Sequence, residues 1–171
     1  MELIMIYDFH QSDVRDPETG IYNHTYFMES FHHEWKRHIK ENQGLMLLYL
    51  CPNIHETVTQ PYLLKSLISH VQSTLRNSDL FGRLDPHRFA IAVFSVTPAV
   101  TQVIINRIEN TIMDFNHEFS QQHSTHIDFS LAACICKPNN TLRIESLFEK
   151  IEQVSNEINC STNKVTVITQ L

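Results

Sequence analysis

Glycine is scarce in this sequence: three residues in 171, Gly20, Gly44 and Gly82, no two of them close. That excludes a GxGxxG turn and a P-loop, which cradle phosphates with glycine-rich backbone N–H groups. Any phosphate the protein holds must be held by side chains or a helix end. Long apolar runs are also missing, and none approaches the ~20 residues of a membrane span. Basic charge is thin, with 13 Lys and Arg against 19 Asp and Glu, a net charge of −6 and no basic cluster. A duplex-binding surface needs concentrated Lys and Arg to displace counterions, so nucleic acid is not an expected partner. The opening "MELIMIYDF" has neither a charged start nor a small-residue cleavage site, and does not read as a signal peptide.

Cysteine pairs of the CxxC kind are absent. Cys51, Cys134, Cys136 and Cys160 are the four cysteines; Cys134 and Cys136 fall on one face of a strand-like run. They read as small buried hydrophobes in a reducing compartment, which points to the cytoplasm. Eleven histidines invite a metal reading. The densest group, "HHEWKRH", sets His32 and His33 six and five residues before His38, which misses the i, i+4 pairing of a helical metal motif. These histidines read as surface and part-buried, and no metal site is expected.

What is present is a regular alternation of elements. "LMLLYLC", Leu45 to Cys51, is a continuous apolar run suited to a strand buried on both faces. The polar, proline-flanked "CPNIHETVTQPY" after it reads as a loop. Leu64, Leu67, Ile68, Val71 and Leu75 then recur at helical spacing. "LFGRL" and "FAIAVFS" flank the turn Leu84-Asp85-Pro86-His87-Arg88 as a hairpin. Pro98 opens a helix with the stripe Val100, Val103, Ile104, Ile108, Ile112, Phe115 and Phe119. Arg107 falls inside that stripe at 100° per residue, where a charge must snorkel out or meet a partner. "HIDFSLAACIC", His126 to Cys136, is a further strand.

The order is β-α-β-β-α-β, the ferredoxin-like split unit, an α/β (α+β) fold with a central, mostly antiparallel sheet flanked by helices. It sets the first and third strands side by side, so the exit of "LMLLYLC" lies beside the turn at Asp85 to Arg88. Two amphipathic helices lie outside the unit: "YFMESFHHEWKRHI" with Phe27, Phe31, Trp35 and Ile39, and "LFEKIEQVSNEI" with Leu147, Phe148, Ile151, Val154 and Ile158. "KVTVITQL" is the last strand. Residues 1–15 read as a lead or connector, and 16–171 as one domain.

Four segments in this order resemble the GGDEF domain of diguanylate cyclases, from about Asp16 to Ile168. "DPETGIYNHTYF" is similar to the family's opening D-x-LTGLxNRRxF, through Asp16, Thr19, Gly20, Tyr22 and Asn23. "LRNSDLFGRLDPHRFAIAV" is similar to the central LRxxDxxxRxGGDEF, with Arg76, Asp79, Arg83 and Phe89 in register. "IDFSLAAC" resembles the vTvSiGva strand, and the closing stretch keeps Asn163 and Val165.

The resemblance implies a site whose chemistry has been replaced. Asp85 and Pro86 stand where the family has its two glycines, and His87 and Arg88 where it has two acids. Proline lacks an N–H, and His and Arg are not the oxygen ligands magnesium requires. The first strand ends Leu50-Cys51-Pro52-Asn53 with no carboxylate, the guanine-gripping stretch is shortened, and Asn159 replaces the phosphate lysine. Phosphoryl transfer depends on positioning and charge neutralisation, so no enzyme activity, cofactor or magnesium is expected. A divergent cyclase is the remote alternative.

The family's second, inhibitory site for cyclic di-GMP has the signature R-x-x-D ending five residues before the GGDEF motif. Arg76-Asn77-Ser78-Asp79 meets that spacing, and an added family arginine aligns with Arg107. An arginine fork suits a phosphate or the O6/N7 edge of guanine, and an aspartate can accept from guanine N1 and N2. The resemblance thus implies an inactive GGDEF domain that receives cyclic di-GMP through Arg76, Asp79 and Arg107. Such a domain signals to a protein partner or adjacent domain, and a ligand-linked homodimer is a natural corollary. The alternative is a nucleotide-independent interaction module in a larger assembly.

Overall fold

The computed structural model describes residues 14–53, 61–123, 128–159 and 166–171. In chain order the elements are α1 (His24–Glu41), β1 (Leu45–Asn53), α2 (Pro61–Gln72), β2 (Leu80–Asp85), β3 (Arg88–Phe94), α3 (Pro98–His123), β4 (Asp128–Cys136), α4 (Ile144–Asn159) and β5 (Thr166–Gln170). β1 to β4, with α2 and α3, form the expected β-α-β-β-α-β unit. The sheet order is β2-β3-β1-β4-β5. β1 runs antiparallel to both β3 and β4, and only β5 joins in parallel.

Alternation along the central strands divides their side chains between two faces. Met46, Leu48, Leu50, Ile91, Val93, Leu131 and Ala133 pack under α2 and α3, against Leu67, Ile68, Ile105, Ile108 and Ile112. Leu45, Leu47, Tyr49, Ala90, Ala92, Phe94 and Ala132 face α1 and α4. There the alanines Ala90, Ala92 and Ala132 leave room for large residues from α1, Phe27, Phe31 and Trp35. Gly82 belongs to this fit, because a Cβ on it would lie 2.7 Å from the Phe27 side chain. Cys134 and Cys136 are buried on the same face, as the strand pattern predicts. Burial pushes their thiols up, to about 11 and about 12, so both remain protonated and inert.

β1 extends beyond the expected Cys51, through Pro52 to Asn53. Its pairing with β3 stops at Leu50, so Pro52 lies where β1 keeps only β4 as a neighbour. Most of the segment read as a loop, 54–60, lies outside the described residues, as do 1–13, His126, Cys160, Asn163 and Val165.

The outer edge of β2 is covered. Tyr22 donates its N–H to Phe81 O at 3.1 Å and accepts from Arg83 N at 2.9 Å. The turn before it is held by the Asp16 carboxylate, which accepts from Thr19 N, and by Gly20 at φ 81°, where glycine avoids the Cβ penalty. Arg83 reaches back across the edge to Asp16 at 3.1 Å and Glu18 at 2.9 Å.

Candidate functional site

The β2–β3 hairpin has two ends, and each carries sequence-predicted residues. At the turn end Asp85 pairs with Arg88 across a two-residue loop, Pro86-His87. Asp85 at the first turn position accepts from His87 N at 2.9 Å, the local bond that favours Asp there. The register places Phe89 against Leu50, so this turn does sit beside the exit of β1.

The turn is tied down by its own charges. Arg88 Nε donates to Asp85 Oδ2 at 2.6 Å, and Nη1 donates to Glu152 Oε1 of α4 at 2.8 Å. The guanidinium carbon lies 5.8 Å from the centre of the Tyr49 ring. Burial alone would raise the Asp85 carboxyl, but the Arg88 guanidinium and the His87 N–H hold it below the usual range. The two carboxylates likewise raise Arg88 further. Cys51 is half-buried, its Sγ 3.7 Å from Ser155 Oγ, and burial pushes its thiol up. A permanent cation thus lies between the two carboxylates of this end. Among the described residues no group of three or more His, Cys, Asp or Glu is placed to hold a metal ion.

The opposite end is built differently. α2 closes through Ser73, Thr74 and Leu75, whose N–H groups bond back to the helix. Asn77 and Ser78 then form a tight turn in which Asp79 N donates to Arg76 O at 3.0 Å. Asp79 Oδ2 accepts from Arg76 N at 2.8 Å, and Oδ1 from Arg76 Nη2 at 3.3 Å. The same Nη2 donates to Phe94 O, at the end of β3, at 2.6 Å. The Asp79 side chain is 4% exposed, and that of Arg76 is 52% exposed. Asp79 therefore acts as a brace, and Arg76 as a half-exposed head. Its Nε and Nη1 donors are unengaged by the described residues.

Arg107 is placed differently from the sequence expectation. It is exposed, not inside the apolar stripe. The buried face of α3 is Thr101, Ile105, Ile108 and Ile112, while Val100 and Val103 are 46% and 56% exposed. These two outward valines pull the apparent stripe round toward Arg107. Arg107 lies nine residues past Pro98, about 13 Å along the helix. The structure thus brings Arg76 and Asp79 together as a pair, while Arg107 stands separately on the outward face of α3.

Sequence reasoning missed three participants: Glu152, the Phe94 carbonyl and His38. The histidine pattern predicts surface or part-buried positions, but His38 is fully buried. Its signal was available, since 27, 31, 35 and 38 form one helical stripe.

Comparisons with known proteins were made by family and by structure. The family model described as "Diguanylate cyclase, GGDEF domain" matches residues 13–164. No curated protein sequence matches the chain. Among solved structures, a microbial GGDEF domain described with cyclic di-GMP superposes at TM-score 0.76 and 14% identity, covering 94% of this chain and 99% of that one. The coiled coil and GGDEF domain of DgcB from Caulobacter crescentus, in complex with c-di-GMP, gives 0.75 and 14%, covering 98% and 91%. The diguanylate cyclase SiaD from Pseudomonas aeruginosa, in complex with its activator SiaC, gives 0.75 and 15%, covering 98% of this chain and 66% of the SiaD chain. At these identities the structural likeness shows a shared fold.

Proposed function

Because the chain belongs to the GGDEF domain family, we propose that it is a catalytically inactive member that receives cyclic di-GMP through Arg76, Asp79 and Arg107. The carrying observation is Arg76: a guanidinium anchored on one side, half-exposed, with donors still unengaged. Asp79 fixes it from below, and Arg107 offers a second, exposed cation on the neighbouring helix. Two phosphates and two guanines are the groups such donors recognise. Each charge-assisted bond contributes ~1.5–3 kcal/mol, so three such contacts span about 4.5–9 kcal/mol, a range whose upper end corresponds to micromolar affinity.

The turn end supports the inactive half of the reading. Arg88 occupies the position of an acid and is neutralised within the chain by Asp85 and Glu152. Magnesium held there would meet a guanidinium at close range. No magnesium or other cofactor belongs to this reading.

The ligand's effect passes to a protein partner or an adjacent domain. SiaD, which shares the fold, is described with a protein activator, and a signalling role for this chain requires a comparable contact. Ligand bridging two outward arginine faces would also link two copies. The setting is the cytoplasm; no described helix is long and apolar enough to cross a membrane.

Calorimetry with cyclic di-GMP decides the matter. Saturable heat and an upward thermal shift are expected; neither, with ligand in large excess, sinks the receptor reading. Incubation with GTP and magnesium or manganese is expected to yield no cyclic di-GMP, and any product overturns the inactive assignment. One observation favours a nucleotide-independent interaction module: both oxygens of Asp79 are already engaged within its own turn. That module predicts a folded protein indifferent to cyclic di-GMP and GTP.

A further inference from the structure

Three residues outside the corner, Arg76, His38 and Gly44, grip three consecutive residues where β3 hands over to α3. Arg76 Nη2 donates to Phe94 O at 2.6 Å. Ser95 N donates to His38 Nε2 at 3.0 Å. Val96 N donates to Gly44 O at 3.0 Å. Thr97 then caps α3, its carbonyl accepting from Val100 N and Thr101 N. The corner therefore meets Arg76 on one side and launches the helix that carries Arg107.

We infer that His38 is a positioning residue for the Arg76 and Arg107 site, acting through the Phe94-Ser95-Val96 corner. The ring is fully buried at the end of α1, against Phe94, with centroids 5.2 Å apart. Its Nδ1 lies 2.7 Å from Glu34 O, a carbonyl, which can only accept. Nδ1 therefore carries the proton and Nε2 presents its lone pair to Ser95 N–H. Glu34 Oε2, itself paired with Arg37, lies 3.7 Å from Nδ1 and leaves that assignment unchanged.

Ser95 shows why the acceptor is needed. It is exposed, yet it holds φ 56°, the left-handed region that serine seldom adopts. Burial of its own side chain does not impose that conformation. The bonds on either side of it do, and the one on its own N–H ends at His38. Without that acceptor, Ser95 relaxes toward ordinary φ and the Phe94 carbonyl turns away from Arg76. The start of α3 moves with it. A residue in the α1 layer thus sets two arginines on the α2–α3 side of the sheet.

The test contrasts two amides at position 38. In His38→Gln the amide reaches the place of Nε2 and can accept from Ser95 N. In His38→Asn it reaches only the place of Nδ1. Cyclic di-GMP affinity is expected to fall about tenfold in the asparagine variant and to stay within about threefold in the glutamine variant, the loss matching one hydrogen bond. In the free protein, the NMR signal of the Arg76 Nε–H group should shift in His38→Asn and return in His38→Gln.

Ser95→Val disfavours the left-handed corner and removes the Oγ that lies 3.4 Å from His38 Nε2, while keeping the imidazole itself, and should reproduce the asparagine result even if His38→Asn does not fold. Equal behaviour of Asn and Gln, or an unmoved Arg76 signal in His38→Asn or Ser95→Val, overturns the inference. The affinity arm rests on the receptor reading; the Arg76 signal does not. Should the wild type bind no cyclic di-GMP, the receptor reading falls while the corner is still judged by that signal.

Discussion

The β2–β3 hairpin has an arginine at each end, and the two are used in opposite ways. Arg88, at the turn, lies between two carboxylates from different elements and beside an aromatic ring. Arg76, at the other end, has one buried carboxylate and one backbone carbonyl, both on the same nitrogen. The first arrangement satisfies a cation; the second aims one. The position of an active site within a fold therefore does not say which end of a hairpin carries ligand chemistry. The number and placement of unengaged donors does.

The comparison breaks most visibly at Arg76. Arg76→Ala should weaken cyclic di-GMP binding by about a hundredfold or more in calorimetry, since two charge-assisted bonds amount to ~3 kcal/mol or more. Unchanged affinity would mean that the half-exposed head is a surface ion pair of little worth. Gly44→Ala attacks the same end through packing. A Cβ there would lie 2.6 Å from Val96 O, so unfolding by urea should show a loss of about 1–3 kcal/mol, with weaker ligand binding alongside.

Arg107→Ala should reduce affinity about tenfold, the worth of one charge-assisted contact, and leave the melting temperature nearly unchanged because the residue is exposed. Arg88→Ala should do the reverse. Stability falls by about 1 kcal/mol, the sum of two partly exposed ion pairs, while cyclic di-GMP affinity stays put.

The smallest effect sharpens the contrast by titration. Arg88 and the His87 N–H hold the Asp85 carboxyl below its usual range, outweighing burial. Its stabilisation is therefore present above the unfolded value of about 3.9 and lost as pH falls through the lower folded one. The melting-temperature gap between wild type and Arg88→Ala should narrow across that window.

The architecture was legible because its signals are local. A continuous apolar run, a Pro-containing turn between two strands and helical stripes sufficed to order the elements. Family resemblance then located the R-x-x-D pair, which the structure closes as an ion pair. What escaped depended on residues far apart in sequence. Glu152 meets Arg88 across 64 positions and Phe94 meets Arg76 across 18. Arg107 was misplaced for another reason. Val100 and Val103 are apolar but outward, and a stripe read from hydrophobicity alone cannot tell a solvent-facing valine from a core one.

The strip of backbone at Tyr22 has a consequence for assembly. By pairing with both Phe81 and Arg83 it acts as a false sixth strand, so β2 offers no open ladder to another chain at that stretch. Copies of this protein cannot zip together there by strand addition. Any association on that flank has to be made by side chains, and so can be tuned, weakened or made ligand-dependent one residue at a time.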